Sequence, residues 1–462
     1  MSAPAQQPAS GAAAPRPTFG VLDASMMIVG IVIGAGIFKA PSIVAGSVAS
    51  AEVFIALWIA GGLISLVGAL CYAELGSAFP NAGGEYHFLN RAFGGWLAFL
   101  FAWARMSVVQ TGAIAAIAFV FGDYATQLLP LGAKSSVIYA ALAVAAITAL
   151  NVLGSRESRL LQNVVTIALV CAILLVIVAG FLVGGSAPPA APAAAPSSAS
   201  TPLFSQLALI FILLTYGGWN EAAYLTAEIR DARRNIVRAL VLGLLAVTVI
   251  YVLLNLAYLN VLGLAGMKAS QAVAADLMKA TLGGAGVVVL SLIVIAASLS
   301  TLNATVFTGA RTNYALGRDY AAFRLLGVWK ERSNTPVNAL LVQGAVALLL
   351  VFLASFTPDG FETMVAYTAP AFWLFFLLTG ISLFVLRRHP PLSAQPFRVP
   401  LYPLTPALFC AMCAYMLYSS ANYALSKDPG SIGAQLGIGV LLLGLPLLWF
   451  VRRPAVAANA RN

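Results

Sequence analysis

Charge is what this 462-residue chain has least of: Asp, Glu, Lys and Arg together make up only 9% of it. A soluble domain carries roughly 25%, so a large water-soluble enzyme is excluded. Histidines number two, His87 and His389, and both are isolated. With no grouping of His, Cys and carboxylates, no catalytic constellation is legible, and neither an enzyme, a metal nor a cofactor is expected. Cysteines number four, Cys71, Cys171, Cys410 and Cys413. Cys410 and Cys413 share a helix face at i, i+3, but no His or carboxylate stands near to complete a metal site. They read as apolar filler. Residues 1–20 lack the basic start and apolar core of a signal peptide. Rich in Ala, Pro, Ser and Gln, they read as a disordered cytoplasmic tail.

What the chain does have is apolar length. Hydrophobic residues make up 61% of it, and the mean hydropathy is +0.93. Runs of roughly 20 apolar residues, enough to span a bilayer, recur along it. Hydropathy places about twelve spans, near 21–47, 52–77, 94–123, 136–154, 160–184, 204–229, 237–262, 284–316, 337–356, 361–387, 403–424 and 433–451. Backbone amides in lipid must be satisfied within the segment, so these are helices. The short alternating strands of a barrel are missing. An all-α integral membrane protein follows.

The net charge of +10 and sequence pI of about 9.6 do not imply a nucleic-acid partner, because the basic residues sit between spans. One set of loops holds Arg91, Arg156, Arg230, Arg318, Arg387 and Arg398 among others; the opposite set holds only Lys134, Lys268, Lys279 and Lys427. The positive-inside rule then puts both termini in the cytoplasm of a multi-pass inner-membrane protein. Residues 185–203, rich in Pro, Ala and Ser, read as a flexible external linker. It separates two five-span units, 21–184 and 204–388. A cytoplasmic loop at 389–402, two further spans within 403–452 and a tail at 453–462 complete the chain. The polar connections 79–95 and 318–336 are compatible with short interfacial helices.

Two spans carry small residues at mid-depth. The first contains Gly30, Gly34, Ala35 and Gly36 in GIVIGAGIF; the sixth contains Tyr216, Gly217, Gly218 and Trp219 in LLTYGGWNEA. Either cluster alone suits close helix packing. As a pair they open two five-span units, and an odd count makes the second unit enter from the opposite side. Interrupted segments at matching places of an inverted repeat point to a binding site at the bilayer midplane. Free N–H groups at a half-helix N-terminus suit a carboxylate, and freed carbonyls suit an ammonium.

At these residues the chain resembles the amino acid–polyamine–organocation superfamily, and within it the L-amino-acid transporter branch. GAGIF at 34–38 is similar to the family's G-[ST]-G-I-F, with Ala35 in place of a hydroxyl residue. AELGSAFPNAGGEYHFL at 73–89, YGGWNEAAYLTAEIRDARRNIVRAL at 216–240, RTNYALGRD at 311–319 and RVPLYP at 398–403 resemble further family segments in the right order. The resemblance implies a five-plus-five inverted repeat of the LeuT-like kind, broken at helices 1 and 6, plus two additional helices. It implies alternating access, by symport or exchange. It also implies that the amides of Gly34, Ala35 and Gly36 hold a carboxylate and that carbonyls near Ile31, Thr215 and Tyr216, beside Gly217, receive an amine. Trp219 is expected beside the side-chain pocket or at its outer gate, with an ordinary packed aromatic as the alternative.

Three departures stand out. Relatives often carry a lysine after a Q-N-x-x-T run, where its ammonium replaces a coupling cation; here the aligned position is Leu169. Lys39 follows GIF where relatives are apolar. It either takes over that cationic role or, as expected, snorkels to the outer interface. The connection 123–136 has no cysteine, so no disulfide-linked heavy chain of the kind bound by animal exchangers is expected. Arg105 is expected to snorkel to the cytoplasm. Glu221 either faces the cavity, where it can titrate or attract a cation, or pairs with Arg105 or Lys39. The expected substrate is a neutral L-amino acid, with a coupling proton and membrane lipid as further partners. A polyamine or cationic amino-acid carrier is the alternative, and a non-transporting amino-acid sensor is the alternative of another class.

Overall fold

A computed structural model describes residues 20–79, 84–153, 159–182, 206–221, 232–330, 335–388 and 397–451. The tails, the 185–203 linker and most of the 389–402 loop lie outside them. The described residues form helices, with one isolated β-bridge, Lys330 to Thr335. In order these are α1 (Val21–Val32), α2 (Ala40–Gly46), α3 (Ala51–Ala78), α4 (Gly84–Phe93), α5 (Gly95–Leu128), α6 (Ser135–Leu153), α7 (Arg159–Leu182) and α8 (Gln206–Thr215). There follow α9 (Ala232–Ala269), α10 (Val273–Asp319), α11 (Val337–Ala354), α12 (Gly360–Leu386), α13 (Leu404–Ala424) and α14 (Ser431–Phe450).

Among the described residues, nine helices are long and apolar enough to cross a membrane. They are apolar around most of their circumference because one face meets protein and the other meets lipid. Leu63, Leu142, Leu292 and Phe352 stand on their exposed faces. α7 and the two interrupted helices bring further apolar segments. α5 packs against α6 and α10, α9 against α1 and α3, and α12 against α13 and α14. Small residues permit these approaches: a methyl on Gly62 would strike Thr248, and one on Gly112 would strike Thr368.

Two boundaries differ from the sequence expectation. α5 runs to Leu128 rather than 123, which brings Asp123 inside a spanning helix. The stretch between the seventh and eighth spans, expected as a loop, is mostly helical. α9 continues to Ala269 past a kink at Gly263 (φ 63°), and α10 starts at Val273 before one at Gly283 (φ 68°). Glycine supplies the left-handed backbone at each kink.

One end of the bundle carries Arg91 at the end of α4, Arg318 at the end of α10, and Arg387 just after α12. This basic end is tied by Glu74 of α3. Its two carboxylate oxygens accept from Nε and Nη2 of Arg387, each at 2.6 Å, and from the Val399 amide at 2.6 Å. Such bidentate, charge-assisted geometry compensates a buried carboxylate.

Candidate substrate site

α1 ends at Val32. Gly34 is extended (φ −106°, ψ −175°), and a 3-10 turn, Ala35–Phe38, leads through Lys39 into α2. α8 ends at Thr215. The turn Tyr216–Gly218, with Gly218 at φ 105°, leads into a short 3-10 turn, Trp219–Glu221. Both sequence clusters are therefore real interruptions. They also meet: a methyl placed on Gly36 would touch Thr215 Oγ1 at 3.8 Å.

Breaking a helix at depth frees carbonyls that need donors. Tyrosines from other helices supply them. The Tyr251 hydroxyl, on α9, donates to the carbonyl of Val32 (3.0 Å) and to that of Thr215 (3.3 Å), joining the ends of both half-helices. The Tyr124 hydroxyl donates to the Phe38 carbonyl (3.1 Å), at the end of the 3-10 turn. The Tyr216 hydroxyl donates to the Trp58 carbonyl (2.9 Å) and so pins the second break to α3. At the start of the first 3-10 turn, geometry leaves the leading N–H groups, Ala35 and Gly36 among them, without intrahelical acceptors.

A cavity of about 590 Å³ lies against both breaks, reaching Gly30, Ile33 and Gly34 on one and Gly217, Gly218 and Asn220 on the other. Phe101 of α5 and Phe372, Phe375 and Phe376 of α12 form an aromatic wall. Thr301, Thr305 and Thr308 of α10 and Gln110 of α5 give it a polar side. Gln110 Nε2 donates to the Thr305 carbonyl at 2.7 Å. α5 makes a π-turn over Arg105–Val109 beside this cavity. π-turns release a carbonyl from the helix ladder and are frequent at functional sites. The Ser107 carbonyl accepts from the Tyr367 hydroxyl of α12 at 2.8 Å.

Among the described residues, two charged side chains line the cavity, and they face each other. Arg105 Nη1 is 3.7 Å from Glu85 Oε2, and Glu85 Oε1 accepts from the Tyr72 hydroxyl at 2.6 Å. Arg105 thus does not snorkel. It is 17% exposed and turned to a buried carboxylate of α4, because a partner is nearer than water.

The other expected residues fall as follows. Gly34 and Gly217 line the cavity. Gly36, Thr215 and Tyr216 stand at the junction of the breaks. Ile31 and Ala35 contribute backbone there, their side chains lying outside the described residues, as does that of Glu221. Trp219 is not at an outer gate. It sits one layer behind the cavity wall at the basic end, buried, edge-on to Tyr72 (5.2 Å) and against Phe376 (5.4 Å) and Phe409 (6.2 Å). Gly68 makes room for it, since a methyl there would lie 2.7 Å from the indole. Leu169 is a buried apolar residue of α7.

Lys39 does not snorkel either: it is 2% exposed. Its Nζ is 2.9 Å from Asp123 Oδ2 of α5 and 2.9 Å from Asp359 Oδ2 at the start of α12. It also donates to Oε1 (3.0 Å) and the carbonyl (3.2 Å) of Gln271, between α9 and α10. Two carboxylates within reach hold the ammonium better than a long stem to the interface could. Sequence reasoning missed Tyr251, Glu85, Asp123 and Asp359. The two aspartates could have been found by the rule that singled out Lys39, since acids near span ends need a cation.

The model of the family described as "Amino acid permease" matches residues 19–441. The chain is 33% identical over 389 residues to the "b(0,+)-type amino acid transporter 1" of Mus musculus, covering 83% of this chain and 78% of that protein. It is 30% identical over 448 residues to the "Large neutral amino acids transporter small subunit 2" of Homo sapiens, covering 95% and 81%. With its cavity on two broken helices and this match over most of its length, the chain is a multi-pass secondary transporter of amino acids, not an enzyme, and it belongs to the amino acid permease family.

Proposed function

We propose that the central cavity binds a neutral L-amino acid and delivers it across the cytoplasmic membrane by alternating access, as a symporter or an exchanger. The observation that carries this reading is the cavity's contact with both breaks. Freed amides at Ala35 and Gly36 suit the carboxylate, and the Gly34 amide, which donates to the Val32 carbonyl at 2.9 Å, would have to turn from it to join them. The ammonium goes to carbonyls near Ile31, Thr215 and Tyr216. A carbonyl has two lone pairs, so Thr215 can serve both Tyr251 and substrate. The aromatic wall and about 590 Å³ leave space for an apolar side chain. Neutrality follows from charge balance: Glu85 and Arg105 offset each other, so no unmatched carboxylate on the described lining calls for a second cation. The names of the relatives, a b(0,+)-type and a large-neutral transporter, agree with an amino-acid cargo.

The basic end faces the cytoplasm, by the asymmetry of its arginines against Lys134, Lys268, Lys279 and Lys427. The connection after α5 has no cysteine, so we expect no disulfide to a heavy chain. Proteoliposome uptake of labelled amino acids and polyamines tests the whole reading, with and without internal substrate and with and without a proton gradient. Saturable uptake of a neutral amino acid supports it; dependence on preload then marks exchange, and dependence on the gradient marks proton symport. Preferred uptake of a polyamine, or binding without any turnover, would overturn it in favour of the cationic carrier or the sensor.

A further inference from the structure

The central cavity is not the only one along α5 and α12. On α5 its lining ends at Ile117, and on α12 it begins at Ala371. A second cavity, of about 400 Å³, continues in the direction away from the basic end. It is lined by Phe119, Asp123, Thr126 and Gln127 of α5, by Asp359 and Gly360 at the start of α12, and by Gln271. Ile117 and Asp123 are about 9 Å apart along the helix, at about 1.5 Å per residue. The two spaces thus follow one another along the same two helices, and Lys39 is paired to two residues that line the second, Asp123 and Asp359.

We propose that Lys39 is the hub of an outer gate between these cavities. Its ammonium has three N–H donors, and four oxygens surround it: Asp123 Oδ2, Asp359 Oδ2, and the side-chain and backbone oxygens of Gln271. The other oxygen of each carboxylate also has a donor. Asp123 Oδ1 accepts from the Ser136 hydroxyl (2.6 Å) and Asp359 Oδ1 from the Glu362 amide (3.0 Å). Both oxygens of each aspartate thus meet a donor, and the ammonium's N–H groups all have acceptors within reach.

The connectivity argues for a gate over a static brace. Lys39 belongs to the joint between the 3-10 turn and α2, the part of the broken helix beyond the substrate site. Through this one side chain that part is tied to α5, to α12 and to the α9–α10 connection. Passage from the second cavity to the first requires those ties to part together. The exposures fit the two states: the carboxylates touch the outer space (14% and 18%), while the ammonium does not (2%). When Lys39 withdraws, the aspartates are left facing an open, polar cavity in which water can solvate them. Loss of the lysine removes the attraction that closes the gate and leaves two like charges opposed. The population then shifts toward the state open at this face.

The inference rests on the central cavity as the substrate site, but its test needs no substrate. In full-length protein with the four cysteines replaced by serine, Ala113→Cys puts a thiol in the central cavity. Ala133→Cys, exposed at the second cavity, counts molecules whose outer face is accessible. Both are labelled with a membrane-impermeant maleimide from outside sealed proteoliposomes. Lys39→Met should raise the labelling rate at position 113, relative to 133, by about tenfold, as expected when a buried charge partner is removed from one of two states. Lys39→Arg should keep it low. Asp359→Asn, which preserves shape and removes one charge, should raise it by a smaller factor and decides the matter if Lys39→Met does not fold. An unchanged ratio in folded Lys39→Met, or in Asp359→Asn where that variant must decide, overturns the gate. It leaves the substrate-site reading standing, which fails instead if no amino acid is bound or carried.

Discussion

Two tyrosines on α9 allow the chemistry of the helix breaks to be isolated. Tyr251 and Tyr258 are seven residues apart, and each is 0% exposed. The Tyr251 hydroxyl donates to the carbonyls of Val32 and Thr215. The Tyr258 hydroxyl has no hydrogen-bond partner among the described residues. Tyr→Phe removes the same oxygen at both places and keeps the ring. At position 251 the ring contacts with Trp58 (5.8 Å) and Tyr216 (5.0 Å) persist, so packing changes little. What changes is that two buried carbonyls at the ends of the half-helices lose a donor. An orphaned buried acceptor costs about 1–3 kcal/mol. Since one O–H proton serves both contacts and the Val32 carbonyl keeps the Gly34 amide as a donor (2.9 Å), the loss expected for Tyr251→Phe is about 1–3 kcal/mol. At position 258 an unsatisfied hydroxyl is deleted, so Tyr258→Phe should be neutral or stabilising by about 1 kcal/mol. The assay is thermal unfolding in detergent, followed by monodispersity, with amino-acid uptake measured in parallel. Tyr251→Phe should melt earlier and lose uptake because the breaks are no longer held together; Tyr258→Phe should do neither. If the two variants behave alike, the view that donors on α9 hold the breaks is wrong.

Two further outcomes follow from the site. Gly36→Ala should be tolerated, because a methyl there makes only an ordinary contact with Thr215, whereas Gly36→Phe should abolish uptake in a protein that still purifies as a monodisperse species. Retained uptake in the phenylalanine variant would remove Gly36 from the site. Arg105→Met should remove the cation beside Glu85 in the cavity wall and raise the ratio of lysine to leucine uptake by about tenfold, the factor that about 1.4 kcal/mol of charge–charge interaction supplies. An unchanged ratio in the folded variant would separate charge selection from this pair.

The interruptions were legible because small residues clustered at matching places in two long apolar runs. That signal is local, and the structure places both clusters against one cavity. The groups that complete the site were not legible because they act across hundreds of residues. Nothing near Gly34 in the sequence marks Tyr251 as the donor to Val32. Lys39 was visible as an anomaly, but its fate depended on Asp123, which the hydropathy boundary left at the edge of its span. α5 continues to Leu128 and brings that carboxylate inside. Arg105 was expected to reach for water because the polar connection before α5 gave no hint that Glu85 would be buried. Trp219 shows the limit of a motif: its neighbours in sequence line the cavity, yet its ring fills a space opened by Gly68 on another helix.

The tyrosine bonds at the breaks have a consequence for how the protein is made. The Val32 carbonyl accepts locally from the Gly34 amide (2.9 Å), but its second donor, the Tyr251 hydroxyl, is synthesised 219 residues after it. A span that breaks off at mid-depth is incompletely paired in lipid until that donor arrives. It must therefore wait, shielded by the insertion machinery or by water at the interface, until α9 emerges from the ribosome. Contacts of such sequence separation are slow to form. α1 is thus among the last helices to be finished, and chains truncated before α9 should be held back and degraded even though α3, α5 and α6 are apolar enough to insert.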